Sequence, residues 1–459
     1  MSESMISALQ NIVGAGNVLL GDDVAMRNTR WGVHSPCRAK AIVRPSGTEE
    51  VAAVMRLCHQ RDQKVVPFGG LTNLVNGCLA APDEIALSLE RMNRVEEIDV
   101  TGSLMVVQAG TPMQTAQEEA DKAGLFYPVD IGARGSCTVG GNVSTNAGGT
   151  KVIRHGMTRE NVLGLETVLA DGTVLSSMNR LLKNNSGFDL KHLFIGTEGL
   201  LGIVTRVVMR LSAKPVSHNV AFLAFENFEP IIDALELTRR RLSNTLSGFE
   251  VMWGSFIRLC ADPRHGLHIP LPTEHAYYVL IEGMGADLEG DDRLFEQVME
   301  ALFAEGEVRD GVIAKSDKER EAIWAIRENV EVLNEEGILD FDVSLPIAVI
   351  ERYVNEISAE LANENPDSRV IAFGHMGDNN LHLGIERAGG SEAAVRRTKE
   401  IVYGALAQYH GAVSGEHGIG LEKIEFLPIS RGPEEIELMR RLKRMMDPKG
   451  LLNAGKVLG

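Results

Sequence analysis

The sequence predicts an α+β protein with more than one domain, and three observations support this prediction. A chain of 459 residues is too long for a single hydrophobic core, because domains usually hold about 100–150 residues. Short apolar runs alternate with segments of helical periodicity through residues 41–124. Farther along the chain, the dipeptide Asp171-Gly172 separates two apolar runs, which is typical of an antiparallel hairpin.

The individual elements follow from apolar periodicity and from the residues that bound each run. A helix is predicted from Thr48, whose hydroxyl would cap its N-terminus, and another has Pro112 in its first turn. The predicted helices therefore cover residues 48–58, 111–124, 231–241, 291–304, 318–336 and 434–446. The predicted strands cover residues 41–43, 64–68, 84–89, 104–109, 163–169, 173–175, 202–211, 277–282, 370–374 and 381–385.

These elements predict four segments. Residues 1–33 form a helix and a loop, and residues 34–215 form a small mixed domain. Residues 216–427 form a second α+β domain with an antiparallel sheet. Residues 428–459 are expected to return to the body of the protein, because their tail, residues 451–456, is too apolar and glycine-containing to be a loose end.

Composition excludes several classes of function. The formal charge is -17, with 63 acidic and 46 basic residues, and no basic block occurs, so no nucleic-acid partner is expected. No run of about 18 apolar residues occurs, so no membrane span is expected. The scattered free cysteines and the absence of a basic N-terminal stretch in MSESMISALQ favour a cytoplasmic location. The absence of C-x-x-C argues against an iron–sulfur cluster.

Three glycine-rich stretches are the first functional signal. The first, residues 67–77, follows a predicted strand, and its backbone N–H groups can form a concave nest for a pyrophosphate. The second, residues 128–149, combines glycines with small polar residues that can bind a polar cofactor. The third covers residues 196–204. A single glycine turn after a strand would be weak support, because such turns are common.

The order and wording of these stretches resemble the FAD-binding domain of the vanillyl-alcohol oxidase superfamily, and the resemblance covers nearly the whole chain. It implies a two-part FAD-binding domain at residues 34–215 and a substrate or cap domain at residues 216–427. The tail matches the family ending L-N-x-x-K, which returns to the flavin. The residues that this resemblance assigns to FAD are Pro67, Gly69, Gly70, Thr72, Asn73, Leu74, Pro128, Gly132, Ser136, Cys137, Gly140, Gly141, Asn142, Thr145, Asn146, Gly148, Gly149, Glu198, Gly202, Ile203 and Asn453.

Two details qualify the flavin assignment. Relatives often read G-G-N-T-G in the first loop, where this chain has Leu71 and Asn73 in place of the outer Asn and Gly. Asn tolerates a positive φ better than most residues, so the loop conformation is expected to be retained. No His or Cys occupies the position where relatives attach the flavin covalently, so the FAD is expected to be non-covalent.

A second signal lies in the C-terminal half. His375 and His382 flank the turn sequence Met376-Gly377-Asp378-Asn379-Asn380, which would place two strands side by side and their imidazoles opposite one another. Facing imidazoles suit a divalent ion such as zinc, although two buried histidines can also form an ordinary hydrogen-bonded pair. Glu416 and His417 stand between glycines and can add a carboxylate ligand and a base.

The pattern H-x-G-D-x-N-x-H followed by S-x-E-H-G-I-G resembles the D-2-hydroxy-acid branch of the superfamily, which includes D-lactate, D-2-hydroxyglutarate and glycolate dehydrogenases. The resemblance implies that His375, His382 and Glu416 bind a divalent metal. The donor set favours zinc, with manganese or iron as alternatives. The resemblance also makes His417 the base. The segment around Trp324 resembles W-x-x-R-E, whose arginine, here Arg327, pairs with the substrate carboxylate.

Two departures from the family bear on the substrate. The 2-hydroxyglutarate enzymes carry Lys in a K-Y-D-x-S-L-P stretch, where this chain has Asp340, and Asn two residues after the second metal histidine, where it has Gly384. Both changes remove groups suited to a second carboxylate. D-lactate or another monocarboxylic D-2-hydroxy acid is therefore expected, with D-2-hydroxyglutarate as the alternative.

Other functions of the same fold stay open. An alcohol or sugar oxidase, a non-catalytic subunit and a metal-binding regulatory protein are the alternatives to a dehydrogenase. Because the chain carries no cluster or haem motif, electrons are expected to leave through an electron-transfer flavoprotein, a quinone or a cytochrome. A homodimer is expected from the family.

Overall fold

The computed structural model describes residues 4–334, 337–386 and 390–459. The chain folds into two units. The first comprises Met1–Gly148, Met157–Lys214 and His417–Gly459, and the second comprises Gly149–Gly156 and Pro215–Glu416. Among the described residues, no helix has the length and apolar character needed to cross a membrane.

The helices range in length from 4 to 18 residues. In chain order they are α1 (Met5–Val13), α2 (Asp22–Ala25), α3 (Thr48–Gln60), α4 (Met113–Lys122), α5 (Val139–Thr145), α6 (Val152–His155), α7 (Thr158–Asn161), α8 (Glu229–Leu242), α9 (Gly254–Cys260), α10 (Leu288–Glu305), α11 (Asp317–Glu328), α12 (Ile350–Glu364), α13 (Glu392–Gly404), α14 (Leu427–Ser430) and α15 (Pro433–Met446).

The strands of the first unit precede those of the second along the chain. They are β1 (Val18–Leu19), β2 (Ala41–Val43), β3 (Val65–Phe68), β4 (Ile85–Ser88), β5 (Val95–Asp99), β6 (Leu104–Gln108), β7 (Leu125–Phe126), β8 (Val162–Val168), β9 (Val174–Ser177), β10 (Ile203–Arg210) and β11 (Ser212–Ala213). The second unit contains β12 (Ser217–Phe225), β13 (Leu246–Trp253), β14 (Tyr277–Gly285), β15 (Asp310–Ile313), β16 (Ile338–Ser344), β17 (Arg369–His375) and β18 (Asn380–Glu386).

The first unit contains a small sheet and a larger antiparallel sheet. In the small sheet, of order β1-β2-β4-β3, the strands β2, β4 and β3 are parallel. The larger sheet has the order β5-β6-β10-β8-β9 and includes the predicted hairpin β8–β9. Helix α3 buries its apolar face in the core of this unit. Because parallel strands end at the same edge of a sheet, the residues that follow β2, β3 and β4 lie at one edge.

The second unit is built on a seven-stranded antiparallel sheet of order β15-β12-β14-β13-β17-β18-β16. The central strand β14 is buried along its whole length. Four neighbouring strands carry polar residues among their apolar ones: Glu250 on β13, His375 on β17, His382 on β18 and Asp342 on β16. Glu250 pairs directly with His375, and Asp342 pairs directly with His382. The sheet register therefore sets the spacing of these four side chains.

The two units differ from the predicted segments in two respects. The predicted boundary at residue 427 falls at Glu416–His417 in the structure, and the predicted segments 1–33 and 428–459 join the first unit. Residues 149–156, predicted as part of the first domain, belong to the second unit. The reason lies in the side chain of Arg154, which donates hydrogen bonds to Ser247 Oγ and to the carbonyl oxygen of Met284.

Three local predictions also need correction. Thr48 does not cap α3, because Gly47 is the N-cap and the Thr48 hydroxyl donates to Glu166 instead. The helix predicted over residues 318–336 ends at Glu328, and the last two residues of that prediction, 335 and 336, lie outside the described residues. Strand β5 was not predicted, because its exposed glutamates hide the apolar alternation of an edge strand.

The C-terminal segment of the first unit is held by Asp447, which ends α15. Its carboxylate accepts hydrogen bonds from the backbone N–H groups of Leu451 and Leu452. It also forms an ion pair with Lys443 at 2.5 Å. Lys443 also donates to the carbonyl oxygens of Leu200 and Leu452. One buried carboxylate therefore fixes the tail against the strand-rich part of the unit.

We expect Asp447→Ala to lower the melting temperature strongly, because it leaves the largely buried ammonium of Lys443 without its ion-pair partner and two buried N–H groups without their acceptor. A loss of about 3 kcal/mol corresponds to a fall of roughly 6–12 °C for a unit of this size. Differential scanning calorimetry measures this change. The control is Glu437→Ala, which removes an exposed ion-pair partner on the same helix and should change the melting temperature by no more than about 2 °C. Equal shifts for both variants would contradict the assignment.

Candidate functional site

The first unit contains a cavity of about 230 Å³ at the edge where its parallel strands end. The first two glycine stretches meet there, since Gly69, Gly70 and Ser136 all contribute to its wall. The other lining residues are Arg27, Ile42, Phe68, Leu71, Ser88, Glu90, Asn93, Gly110, Pro112 and Thr138. The cavity is therefore the place in this unit where a ligand can approach the predicted pyrophosphate loop.

The two glycine stretches approach each other more closely than side chains would allow. A Cβ atom added to Gly70 would lie 2.0 Å from the carbonyl oxygen of Ser136, and one added to Gly69 would lie 2.8 Å from Thr138 Oγ1. Gly140 has the same constraint against Ala109, at 2.5 Å. Backbone groups can thus face a cofactor without intervening side chains, so these residues fit the group that the sequence predicts.

The remaining residues assigned to FAD occupy several elements. Pro67 lies in β3, and Thr72, Asn73 and Leu74 follow it in the loop. Pro128, Gly132 and Cys137 precede α5, whereas Gly140, Gly141, Asn142 and Thr145 lie within α5 and Asn146 and Gly148 follow it. Glu198, Gly202 and Ile203 lead into β10, and Asn453 lies in the tail. Gly149 begins the segment that belongs to the second unit.

In the first loop, Leu71 and Asn76 take the left-handed conformation and Asn73 does not. Leu71 has a φ of 58°, a conformation that costs a β-carbon-bearing residue about 1–2 kcal/mol. Asn73 instead holds the loop through its side chain, which donates to the carbonyl oxygen of Thr29 and accepts from the N–H of Gly77. The expectation that Asn73 supplies the unusual conformation is therefore wrong, because its amide side chain supplies hydrogen bonds instead.

Several polar side chains of the second stretch already have partners within the protein. The amide of Asn142 is buried against the sulfur atoms of Met113 and Cys137. Thr145 donates to the carbonyl oxygen of Gly141, and Asn146 accepts from the N–H of Arg159. These contacts stabilise α5 and its C-terminal turn. In this stretch, Ser136 and Thr138 are the residues that line the cavity.

Glu198 holds the loop that follows His417. Its carboxylate accepts hydrogen bonds from the backbone N–H groups of Ile419 at 2.8 Å and Gly420 at 2.9 Å. Burial raises the pKa of Glu198, and these two hydrogen bonds oppose that rise. The carboxylate assigned to cofactor binding therefore has a structural contact that the sequence did not reveal.

The tail reaches the same region through Asn453. Its side chain donates to the carbonyl oxygen of Glu198 at 2.6 Å, and its backbone N–H donates to that of Val65. Lys456 donates to Gly77 and to Asn453 Oδ1, and burial lowers the pKa of this lysine to about 8. The predicted return of the tail to the glycine loops is therefore present within the first unit.

The second unit brings the three predicted metal ligands together. Donor atoms of His375, His382 and Glu416 all lie within 4.8 Å of one another. His375 Nε2 is 3.6 Å from Glu416 Oε1, and the two imidazole rings meet edge to face with centroids 5.3 Å apart. Two nitrogen donors and one carboxylate oxygen match the coordination preferences of zinc. The residues present thus fit a divalent cation.

Glu250 is a further member of this cluster that sequence reasoning missed. Its carboxylate lies 2.8 Å from Nδ1 of His375 and 2.7 Å from Nε of Arg327. Burial lowers the pKa of His375, but the Glu250 carboxylate outweighs this effect and raises it to about 9. The signal in the sequence was a single acidic residue within the apolar strand β13.

The carboxylate of Asp342 likewise contacts a predicted metal ligand, Glu416, through a hydrogen bond. One of its carboxylate oxygens accepts from the Ser414 hydroxyl and from the N–H groups of Gly415 and Glu416. Its other oxygen accepts from the side-chain amide of Asn380 at 2.7 Å. The loop that carries Glu416 is therefore fastened to β16.

Arg327 and Asp378 complete the surroundings of the cluster. The guanidinium of Arg327 lies over the Phe373 ring at 4.7 Å, and its Nη2 is 3.3 Å from the His375 ring. Burial raises the pKa of Asp378 to about 7, with further contributions from Glu416 and Glu250. The structure thus places Arg327 at the predicted metal ligands. His417, the predicted base, follows Glu416 directly and begins the last segment of the first unit.

Cavity residues that sequence reasoning missed share one signal. Two of these missed residues are Ser88, which ends β4, and Glu90, which follows two residues later. They lie at the same edge of the sheet as the predicted residue Gly69, which follows the parallel strand β3. Glu90 forms ion pairs with Arg27 and Arg44, each with an N···O distance of 3.1 Å. The rule that ligands bind at the carboxyl ends of parallel strands would have singled out these positions once the sheet order was known.

Two family models match nearly all of this chain. The "FAD binding domain" model matches residues 39–177, and the "FAD linked oxidases, C-terminal domain" model matches residues 214–457. The chain belongs to the FAD-linked oxidase family. Its N-terminal half is accordingly an FAD-binding domain, as the glycine stretches predicted.

Relatives of this FAD-linked oxidase align over almost its full length. The mitochondrial D-2-hydroxyglutarate dehydrogenase of Bos taurus is 38% identical, with 100% of this chain and 84% of the relative covered. A D-2-hydroxyglutarate dehydrogenase of Xanthomonas citri is 39% identical over 91% of this chain and 89% of its own. A mitochondrial protein of Schizosaccharomyces pombe, named as a D-lactate dehydrogenase, is 34% identical over 98% and 89%.

Solved structures support the predicted α+β fold. The structure of p-cresol methylhydroxylase has a TM-score of 0.78 at 17% identity and covers 99% of this chain and 96% of its own. That of alkyldihydroxyacetonephosphate synthase has a TM-score of 0.76 at 16% identity and covers 99% and 85%. Together with the family matches, these likenesses confirm the predicted membership of the vanillyl-alcohol oxidase superfamily.

The expected cytoplasmic location is wrong. The relatives from Bos taurus, Arabidopsis thaliana and Schizosaccharomyces pombe are mitochondrial proteins. The five cysteines are free in the structure, but free thiols indicate only a reducing environment. They therefore could not distinguish one such compartment from another.

Gly420 provides a test of the loop that follows His417. It has a φ of +51°, and an added Cβ would lie 2.1 Å from the carbonyl oxygen of Val75. We expect Gly420→Ala to cost more than the roughly 1–2 kcal/mol of the backbone conformation alone, because Val75 and the loop must separate. Thermal melting measures the loss. The matched control is Gly450→Ala, which has a φ of +62° and open space around it. Equal losses would show that the contact with Val75 is unimportant.

Proposed function

We propose that this FAD-linked oxidase is an FAD- and metal-dependent dehydrogenase that oxidises a D-2-hydroxy acid to the 2-oxo acid. The observation that carries the proposal is the cluster of His375, His382 and Glu416, with Arg327 beside it. The names of the relatives from Bos taurus and Schizosaccharomyces pombe support the same class of substrate. An alcohol oxidase would not need a metal site next to a cation.

In this proposal each residue has a separate task. His375, His382 and Glu416 hold zinc, with manganese or iron as alternatives, and Arg327 binds the substrate carboxylate. When bound, the metal would lower the pKa of the substrate hydroxyl, and FAD would supply the acceptor for the α-hydrogen and its electron pair. His417 accepts the hydroxyl proton on a ring nitrogen. The hydroxy acid thereby loses a hydride and a proton and becomes the 2-oxo acid.

The FAD is proposed to bind non-covalently. The backbone of Gly69 and Gly70 faces the pyrophosphate in this proposal, and Ser136 lies in the same cavity. Electrons then pass to an external acceptor, for which an electron-transfer flavoprotein, a quinone and a cytochrome are the candidates. The proposal retains the homodimer expected from the family.

A monocarboxylic substrate such as D-lactate is favoured by residues of the second unit. Asp340 pairs with Gly384 in the sheet, two places along from the pair of Asp342 and His382. Because strand residues two apart share a face, Asp340 adds a negative charge on the face that carries His382. A Cβ added to Gly384 would lie 2.5 Å from Leu333 Cδ2. A second substrate carboxylate would therefore meet a like charge and an apolar wall on that face.

D-2-hydroxyglutarate is the second candidate, because most of the similar relatives named above act on it by name. Anaerobic bleaching of the flavin absorbance distinguishes the candidates. D-lactate, L-lactate and D-2-hydroxyglutarate are each mixed with the enzyme before and after chelation. We expect rapid bleaching by D-lactate, loss of bleaching after chelation and recovery with zinc or manganese.

Three outcomes of this experiment would contradict the proposal in different parts. Bleaching that resists complete metal removal would exclude the metal role. A kcat/KM for D-2-hydroxyglutarate about tenfold above that for D-lactate would exclude the monocarboxylate preference. A yellow protein that none of the hydroxy acids reduces would exclude the substrate class and favour an alcohol oxidase or a non-catalytic subunit.

Asp340→Lys tests the charge that excludes a second carboxylate. We expect the ratio of kcat/KM for D-2-hydroxyglutarate over D-lactate to rise about tenfold, because the variant replaces repulsion by an ion pair. Steady-state kinetics with an artificial acceptor measures the ratio. The control is Glu305→Lys, which makes the same charge change at an exposed end of α10 and should leave the ratio within about twofold. An unchanged ratio in Asp340→Lys would contradict the role of this residue.

A further inference from the structure

Glu250 is a charged residue in an apolar setting. It lies within β13 between Phe249 and Val251, and only 1% of its surface is exposed. A carboxylate in such surroundings is costly unless charged or polar partners surround it. Its contacts therefore show what it does in the fold.

Both partners of Glu250 are residues to which the proposed function assigns a task. His375 lies directly opposite it on β17, and Nδ1 of that ring forms a hydrogen bond with Glu250 Oε1 at 2.9 Å. Arg327, on α11, donates from Nε to the other oxygen, Oε2, at 2.7 Å. Arg327 is itself 3% exposed and lies over the Phe373 ring. Two buried side chains from two other elements thus share the Glu250 carboxylate.

We infer that Glu250 is a positioning residue that fixes the metal ligand His375 and the substrate-binding Arg327 together. This inference rests on the proposed function. With Nδ1–H donated to Glu250, the ring presents Nε2, which is the nitrogen that lies 3.6 Å from Glu416. A hydrogen bond of this kind sets the tautomer and orientation of a metal-binding histidine.

The bond to Arg327 has a separate consequence. Because Glu250 binds Nε, it fixes the plane of the guanidinium and leaves the terminal nitrogens on the side of the His375 ring, where Nη2 is 3.3 Å away. A bidentate carboxylate site requires this kind of fixed geometry. Metal binding and substrate binding therefore depend on the same buried carboxylate.

Glu250→Gln tests the inference with little change in shape. The amide oxygen can accept one of the two hydrogen bonds, whereas the amide nitrogen must face the other donor. We expect the dissociation constant for Zn²⁺ to rise about 10–100-fold. Competition with a fluorescent zinc chelator, on the purified flavin-containing protein, measures this constant without any turnover.

A second readout concerns Arg327. At saturating zinc, we expect the KM of the hydroxy acid that bleaches the flavin fastest to rise by about tenfold or more in Glu250→Gln, with a smaller change in kcat. A general loss of structure would not separate KM from kcat in this way. Flavin content and the melting temperature confirm that the variant is folded.

Glu282→Gln is the matched control. Glu282 is also 1% exposed and lies on the adjacent strand β14, but its partners are Lys151, His218 and Trp324. This variant therefore removes a buried negative charge of the same kind without touching His375. Its dissociation constant for zinc should stay within about twofold of that of the unaltered enzyme, since only the residues beside the metal ligands affect affinity.

Each outcome decides the inference. Unchanged zinc affinity in Glu250→Gln overturns it, and so does an equal loss in Glu282→Gln. An unaltered enzyme that binds neither zinc nor manganese shows instead that the metal part of the proposed function has failed, and the inference fails with it. If Glu250→Gln does not fold, Glu250→Asp provides the comparison, because it keeps the charge but is one methylene too short for both partners. Normal affinity in that variant overturns the inference.

Discussion

The compensation of buried carboxylates by cations is the constraint on which the second unit depends. Glu250 and Glu282 lie on adjacent strands of one sheet, and both are almost completely buried. Trp324 and Arg327 bind one carboxylate each, and their spacing of three residues puts them on one face of α11. Lys151 supplies a further cation for Glu282. The docking of α11 on this sheet, and the membership of residues 149–156 in this unit, both follow from the need to balance these charges.

The first unit depends on backbone approach rather than on charge. Positions such as Gly70 and Gly140 have no room for a side chain, so two distant stretches of the chain come together around one cavity. Polar side chains in the same stretches mostly stabilise the loops themselves, as Asn142 does against sulfur atoms. Glu198 and Asn453 then connect the third stretch with the tail. This arrangement suits a large cofactor whose polar groups can be bound by the backbone N–H groups of the protein.

Solved structures that are only 16–17% identical to this chain share its fold. The proposed metal ligands and the side chains that contact them lie on four neighbouring strands and one loop of the second unit. The proposed substrate preference depends on even fewer positions, since Asp340 and Gly384 form a strand pair two places along from the pair of Asp342 and His382. Chemistry and specificity are thus carried by local substitutions on a common scaffold.

The sequence by itself determined the α+β class, most elements, the three glycine stretches and the residues proposed as metal ligands, because these depend on local periodicity and on short motifs. The tertiary structure alone decided that Glu250 joins His375 to Arg327, that Asp342 fastens the loop of Glu416, and that residues 149–156 leave the first unit. It also decided that Leu71, not Asn73, takes the left-handed conformation. The physical reason is that sheet register and buried charge balance join residues far apart in the chain, and neither leaves a periodic signal in the sequence.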